Sequence, residues 1–431
     1  MINRGILKQV LIEQNEFIKP SSEYIRRELL DEVSSLVKLR HIIVVTGVRR
    51  AGKSVFLSQI VNEFYSPDDV YYLNLDDERL AGLKIEDAGY IMDVFAELFG
   101  NRKIVFFDEI QNLNGWERFV SRLYNEGFKI YITGSNAKLL SSELSTFLTG
   151  RHMDIEISPF SFREFLTYHR INIKNEHSFY RRQVRAKIRS LFDEYLLKGG
   201  FPEVARYKDI SILRTLFSDI ITKDVLARYS VKNAKTLKDV ASFLVSNSAK
   251  EFSYNRIKNV YSLGSVHTVK NYIDYLASSY VFSEVLRFSF SLKESQVRNK
   301  KIYTLDNGFI SALGLSMSQD TGRLYENVVF NELKRRGGDI FFYRDKQGKE
   351  IDFLLRNKRK IYGAIQVCFN VDDNVTLGRE IKSLTSGLRE LKLKKGIILT
   401  SDREDLISVG SCQIKLVPAY KYLVFNLENG E

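Results

Sequence analysis

The chain has 431 residues, 44% hydrophobic and 27% charged, which provides for roughly two to four packed domains and excludes a disordered chain. Two cysteines, Cys368 and Cys412, and five scattered histidines exclude a disulfide framework and a four-ligand zinc site; with no signal-peptide core and no apolar run near the ~18 residues of a membrane span, they give the expectation of a cytoplasmic protein with no membrane partner. The net charge of +12 is uneven, −3 over residues 1–150, +10 over 151–320 and +5 over 321–431, so the middle suits an anionic partner such as nucleic acid, although a solvated lysine-rich face would look the same.

In chain order, residues 22–39 carry the apolar spacing of a helix and lead into a β-branched run at 41–46. Strand-like runs recur at 70–75, 103–108, 129–133 and 152–157, with helical patterns between most of them, which predicts a parallel sheet covered by helices. After Pro159 the pattern turns helical. It includes the basic run 181–189, whose charges do not share one narrow face and read as solvated, and a break at Gly199, Gly200, Phe201 and Pro202. Helical patterns at 237–245, 255–261 and 266–276 precede an alternating stretch at 281–290, a polar basic turn and a strand at 301–305, the layout of a winged helix-turn-helix. From about residue 320 the pattern is mixed, with helices at 326–336 and 379–391 and strands at 340–344, 350–355, 361–369, 396–400 and 416–424. The expected domains are therefore 1–178, 179–318 and 319–431.

The sharpest motif follows the run at 41–46. Gly47, Val48, Arg49, Arg50, Ala51, Gly52, Lys53 and Ser54, continued by Val55, match G-x-x-x-x-G-K-[ST] between a strand and a helix. Such a loop turns consecutive backbone N–H groups and a helix N-terminus toward phosphates. Lys53 would bridge the β- and γ-phosphates of ATP, and Ser54 would offer its hydroxyl to Mg²⁺. Residues 104–109 supply the complement, an apolar strand ending in Asp108, for the Mg²⁺ shell, and Glu109, to orient and polarise water. The strand at 129–133 runs into Ser135 and Asn136, placed to sense a γ-phosphate, and Arg151 is a candidate arginine finger acting within the chain or on a neighbour.

These motifs, with Ser-Pro-Phe-Ser-Phe-Arg-Glu-Phe at 158–165 and Gly-Gly-Phe-Pro-Glu at 199–203, resemble the AAA+ ATPases of bacteria and archaea that carry a C-terminal domain of unknown function. The resemblance runs from about residue 20 to the end. It implies an α/β fold with three parts: a P-loop, AAA-type parallel sheet, a helical and winged-helix region, and a C-terminal nuclease-like α/β domain.

In the winged-helix reading, residues 266–276 form the recognition helix. It presents His267, Thr268, Lys270 and Asn271 to double-stranded DNA, while Lys293, Arg298, Lys300 and Lys301 meet phosphates from the wing. Protein docking or self-association is the competing use of such a module. The tail resembles the PD-(D/E)xK fold, with Glu326 on the helix and Glu350 and Asp352 on the second strand. Gln366 and Cys368 stand where Glu-x-Lys belongs, which removes a carboxylate and the lysine charge and points to a lost nuclease activity. The function expected is an ATP-hydrolysing switch or motor coupled to DNA. The alternatives are an ATP-gated regulator of protein contacts and an ATP-dependent nuclease.

Overall fold

The computed structural model describes residues 3–21, 23–134, 150–173, 175–314, 320–371 and 373–425. The chain forms two compact units, residues 1–158 with 278–280 and residues 159–277 with 281–431.

In the first unit, β1 (Ile42–Gly47), β2 (Val70–Asn74), β3 (Ile104–Asp108), β4 (Lys129–Gly134) and β5 (His152–Ile157) form one sheet in the order β2-β3-β4-β1-β5. All pairings are parallel. All of β1 and nearly all of β2, β3 and β4 are buried, because helices cover a parallel sheet on both faces, and so these segments read as continuous apolar runs. Only the edge strand β5 keeps exposed positions, at Met153, Asp154 and Glu156. One core cluster joins Ile42, Val44, Leu73, Phe107 and Ile132 of the strands to Phe95 and Phe119 of the helices Ala88–Phe99 and Trp116–Asn125. Each such burial contributes ~1.5–3 kcal/mol. The parallel register brings the ends of β1, β3 and β4 to one side of the sheet, with Thr46 opposite Gly134 and Phe107 opposite Ile132, and open parallel sheets bind ligands at that edge.

The helix expected over 22–39 shrinks to Leu30–Leu36. The residues before it bond to Gln59 instead, whose amide donates to the Ile25 carbonyl (2.5 Å) and accepts from the Arg27 N–H (3.2 Å). Helix Arg4–Phe17, unread in the sequence, seats Leu7, Val10 and Leu11 in the same core.

The second unit is built on one nine-stranded sheet. Its strands are β6 (Lys250–Phe252), β7 (Phe282–Arg287), β8 (Lys300–Thr304), β9 (Asp339–Arg344), β10 (Glu350–Asn357), β11 (Lys360–Cys368), β12 (Lys395–Thr400), β13 (Asp405–Val409) and β14 (Cys412–Pro418). Their order is β13-β14-β12-β11-β10-β9-β7-β8-β6. Across the expected boundary at 318 the sheet is continuous, because β7 pairs in parallel with β9, Leu286 opposite Phe341. The first compact unit ends at Ser158, ahead of the domain boundary expected at 178. Helix Phe162–Tyr168 packs on helix Arg182–Lys198 through Phe162 on Phe192 (5.2 Å between rings) and Phe165 on Tyr195 (5.3 Å).

Helices Ala234–Ser246, Tyr254–Val260 and Val266–Ser278 occupy the three expected helical patterns. The expected polar turn after β7 instead holds a helix, Leu292–Val297, whose N-cap Ser291 accepts from the Glu294 N–H. The strand expected over 416–424 stops at Pro418, and Ala419–Val424 is a wholly buried helix. Proline at its N-cap has no N–H to continue the ladder. The break at 199–202 has a steric origin. Gly199 has φ +74°, and a Cβ there would lie 1.6 Å from Asp306 Oδ1; a Cβ on Gly200 would lie 2.3 Å from the Phe160 carbonyl. Among the described residues no helix is long and apolar enough to cross a membrane.

Candidate functional site

The end of β1 turns into a loop that only its own residues can form. Gly47 (φ +142°) lies so close to β5 that a Cβ would sit 2.1 Å from the Ile157 carbonyl. Arg50 (φ 65°) and Gly52 (φ +98°) take left-handed conformations, curling the loop before helix Lys53–Phe64 begins. Buried Arg27 fixes the loop from outside, donating to the Ala51 carbonyl (3.0 Å) and the Ser158 carbonyl (2.6 Å).

Into this loop's mouth come Lys53, Ser54, Asp108 and Glu109. The Lys53 ammonium, almost wholly buried, contacts the Gly47 and Val48 carbonyls (3.3 and 3.4 Å) and Glu109 Oε1 (3.4 Å). Asp108 is fully buried at the end of β3 and receives hydrogen bonds from Tyr72 (3.1 Å), Thr133 and Ser54. Burial pushes its carboxyl up, and the Ser54 and Thr133 bonds partly offset this. Glu109 follows with φ 52°, a conformation uncommon outside glycine, which turns its side chain toward Lys53. Burial alone would raise its carboxyl, but Lys53, Gln111 and Arg49 hold it below the usual range, so Glu109 is ionised. Thr133 ties the two acids together, because its hydroxyl donates to Asp108 Oδ1 and accepts from the Glu109 N–H (2.8 Å).

Sequence reading missed Arg27, Tyr72, Thr133 and Gln111. Thr133 was the most legible of them, being a polar residue at the buried end of its strand. Ser135 and Asn136 lie outside the described residues. Arg151 is brought elsewhere. Its carbonyl accepts from Ile42 N–H at the start of β1, and its guanidinium lies over the Tyr124 ring (5.4 Å). With Gly47 opposite Ile157 at the other end of the same pairing, Arg151 is roughly 20 Å from the loop, beyond a side chain's reach. An arginine finger acting on its own loop is thereby corrected.

The second unit alters the reading of the basic residues. Lys301, expected on a phosphate-facing wing, is buried, with its ammonium 2.7 Å from Glu326, 2.6 Å from Glu350 and 3.4 Å from Asp352. The physical reason is strand alternation: Lys301 and Tyr303 share the inward face of β8, and both reach Glu326. Lys300 is committed to Tyr254 and Glu284, and Arg298 to Glu294. Lys293, His267 and Lys270 are exposed, and Thr268 and Asn271 are partly so. Of the basic run, Arg185 and Arg189 both pair with Asp402 (2.7 and 2.9 Å).

Three family descriptions match the chain: an AAA domain over residues 39–166, a domain of unknown function (DUF8612) over 189–321 and another (DUF4143) over 321–422. An uncharacterized protein of Methanocaldococcus jannaschii is 33% identical, the match covering 98% of this chain and 96% of that protein. Another from Haemophilus influenzae is 33% identical over 81% of this chain and 88% of its own. Among solved structures, a STAND ATPase with a tetratricopeptide repeat sensor from Pyrococcus horikoshii is similar at 15% identity and a TM-score of 0.27. That match covers 74% of this chain and 47% of that one, and is too weak to bear on function. With its fold and near-full-length relatives, the chain belongs to the family of archaeal and bacterial AAA-domain proteins that end in this C-terminal domain of unknown function.

Proposed function

We propose that the protein binds ATP with Mg²⁺ at the loop of residues 47–54, hydrolyses it, and uses the nucleotide state as a switch. The observation that carries this reading is the meeting of Lys53, Ser54, Asp108 and Glu109 at one sheet edge, with Thr133 between the two acids. The donor set fits Mg²⁺, since Ser54 already bonds the one carboxylate, Asp108, and a hydrated ion bound through one carboxylate and phosphate oxygens needs no more protein ligands. When bound, Mg²⁺ neutralises charge on phosphate oxygens. The chain's own residues do the rest: the loop N–H groups and Lys53 hold phosphates, Asp108 and Ser54 hold the metal, and ionised Glu109 accepts a proton from water. Lys53→Ala is expected to abolish nucleotide binding, and Glu109→Gln to retain ATP but lower turnover by ~10²-fold or more. Parental turnover by Glu109→Gln would remove that residue from its role.

For the output, we infer coupling to double-stranded DNA through a winged-helix surface around His267, Lys270 and Lys293. The basic excess between residues 151 and 320 supports it. One observation favours the second reading, a switch for protein contacts or self-association in which Arg151 acts on a neighbouring copy: the internal pairing of Lys300 and Lys301 leaves the wing fewer cations for phosphate. Steady-state ATP turnover titrated with duplex DNA decides between them. Stimulation that fades between low and physiological salt supports DNA, and flat turnover supports protein partners.

A further inference from the structure

The carboxylates of the C-terminal half converge on an ammonium. Glu326 comes from helix Thr321–Arg336 and Glu350 and Asp352 from β10, and Lys301 Nζ from β8 stands between all three at 2.6–3.4 Å. The second oxygens of Glu350 and Asp352 are also taken, and the Glu326 oxygen that meets Lys301 accepts a further bond. Glu350 Oε2 receives Arg344 (2.6 Å), Asp352 Oδ2 receives the Val367 N–H (2.9 Å), and Tyr303 donates to Glu326 Oε1 (2.7 Å). Gln366, in place of a further carboxylate, spends its oxygen on the Asp352 N–H (3.3 Å) and its amide on Glu380 (2.9 Å). Cys368 is buried, with its thiol toward the Asn370 carbonyl.

A nuclease-like centre calls for Mg²⁺, and these residues do not fit it. Mg²⁺ needs oxygen ligands at ~2.0–2.1 Å in near-octahedral array. Here an ammonium occupies the point on which the carboxylates converge, and a second cation beside it would meet strong repulsion in a buried setting. Burial alone would lower the Lys301 ammonium, but Glu326, Tyr303, Asp352 and Glu350 hold it well above the usual lysine range, which favours the charged form.

We propose that Lys301 takes the place of a divalent cation in this centre, a cation supplied by the chain itself, so that the native centre binds no metal and serves to clamp β8 to β10 and helix Thr321–Arg336. The clamp lies across the junction at which the antiparallel pair β7–β8 joins β9. Lys301 and Arg344 supply two positive charges to three carboxylates, and burial beside Glu326 holds the Asp352 carboxyl well above the usual range, toward its neutral form, so the cluster approaches charge balance without any ion from solution.

The test uses the full chain without nucleotide and Mn²⁺ as the probe, read by electron paramagnetic resonance. The parent and Asp352→Asn are expected to bind the same amount of Mn²⁺; loss of a bound equivalent in Asp352→Asn would overturn the proposal and make the centre a metal site. Lys301→Met, which keeps the stem and removes the charge, is expected to gain one equivalent of Mn²⁺. Its melting midpoint should rise by a few degrees with the metal, and Lys301→Met/Asp352→Asn should show neither effect. A folded Lys301→Met that gains no Mn²⁺ also overturns it. Should Lys301→Met fail to fold even with metal, the comparison of the parent with Asp352→Asn decides alone.

Discussion

Thr133 shows how much a single hydroxyl can arrange. By donating to Asp108 and accepting from the Glu109 N–H, it ties together the acid proposed to face Mg²⁺ and the acid proposed to face water. Thr133→Val keeps the shape of β4 and removes both bonds, so ATP turnover is expected to fall ~10–100-fold with nucleotide binding largely retained. Steady-state turnover and nucleotide titration check it, and unchanged turnover would show that the acids hold their positions unaided. Asp306 acts on stability instead. Burial pushes its carboxyl up to about 6 from 3.8, although the Gly200 and Gly308 N–H groups partly offset this. Between those values the unfolded chain releases its proton while the folded chain keeps it, so stability falls as pH rises from about 4 to about 6 and is level above. Two units correspond to ~3 kcal/mol. Melting of the parent and of Asp306→Asn across this window is expected to show the steeper decline in the parent, and parallel curves would contradict the shift.

At the scale of elements, glycines and helix starts decide what the chain can build. The turn after helix Arg182–Lys198 exists because Gly199 leaves room for the Asp306 carboxylate and takes φ +74°. Gly199→Ala adds both a collision and backbone strain, and is expected to cost more than ~3 kcal/mol, measurable by denaturant unfolding. A parental midpoint would mean that the turn rearranges freely. The strands of the first sheet were legible because β1 to β4 are covered on both faces and carry short continuous apolar runs, with polar residues mostly at their ends. Strand β13 was not, since most of its residues are solvent-facing, nor was β6, which is only three residues long. Helix Ala419–Val424 was misread as strand because all six residues are buried, and a short buried helix and a buried strand carry the same apolar signature.

For the whole molecule, the sheet that runs unbroken from β13 to β6 joins the helical region and the C-terminal half through shared strand pairings. Cutting at residue 318 would separate β7 from β9, remove Lys301 from its three carboxylates and leave β9 as an open edge with Phe341 and Tyr343 beside it. A fragment of residues 319–431 is therefore expected to aggregate or melt without cooperativity, whereas residues 159–431 melt cooperatively. Calorimetry and sedimentation of the two fragments check this, and a soluble, cooperative 319–431 would contradict it.

By itself, the sequence located the loop of residues 47–54 and the strand end that carries Asp108 and Glu109. Gly47, Gly52, Lys53, Ser54, Asp108 and Glu109 work through local geometry and lie at fixed places on strands whose apolar pattern announces them. It also determined the α/β character of both halves, because that rests on periodicity. Only the tertiary structure decided where the charges go. Lys301 reads as a wing cation until β8 turns it inward to Glu326, Glu350 and Asp352, which follow it by 25 to 51 residues. Arg151 reads as a finger until the parallel pairing of β1 and β5 sets it at the far end of the sheet. Local pattern shows which residues are charged and which segments are strands. The partner of a charge is set by strand order and register, which join residues that no local pattern connects.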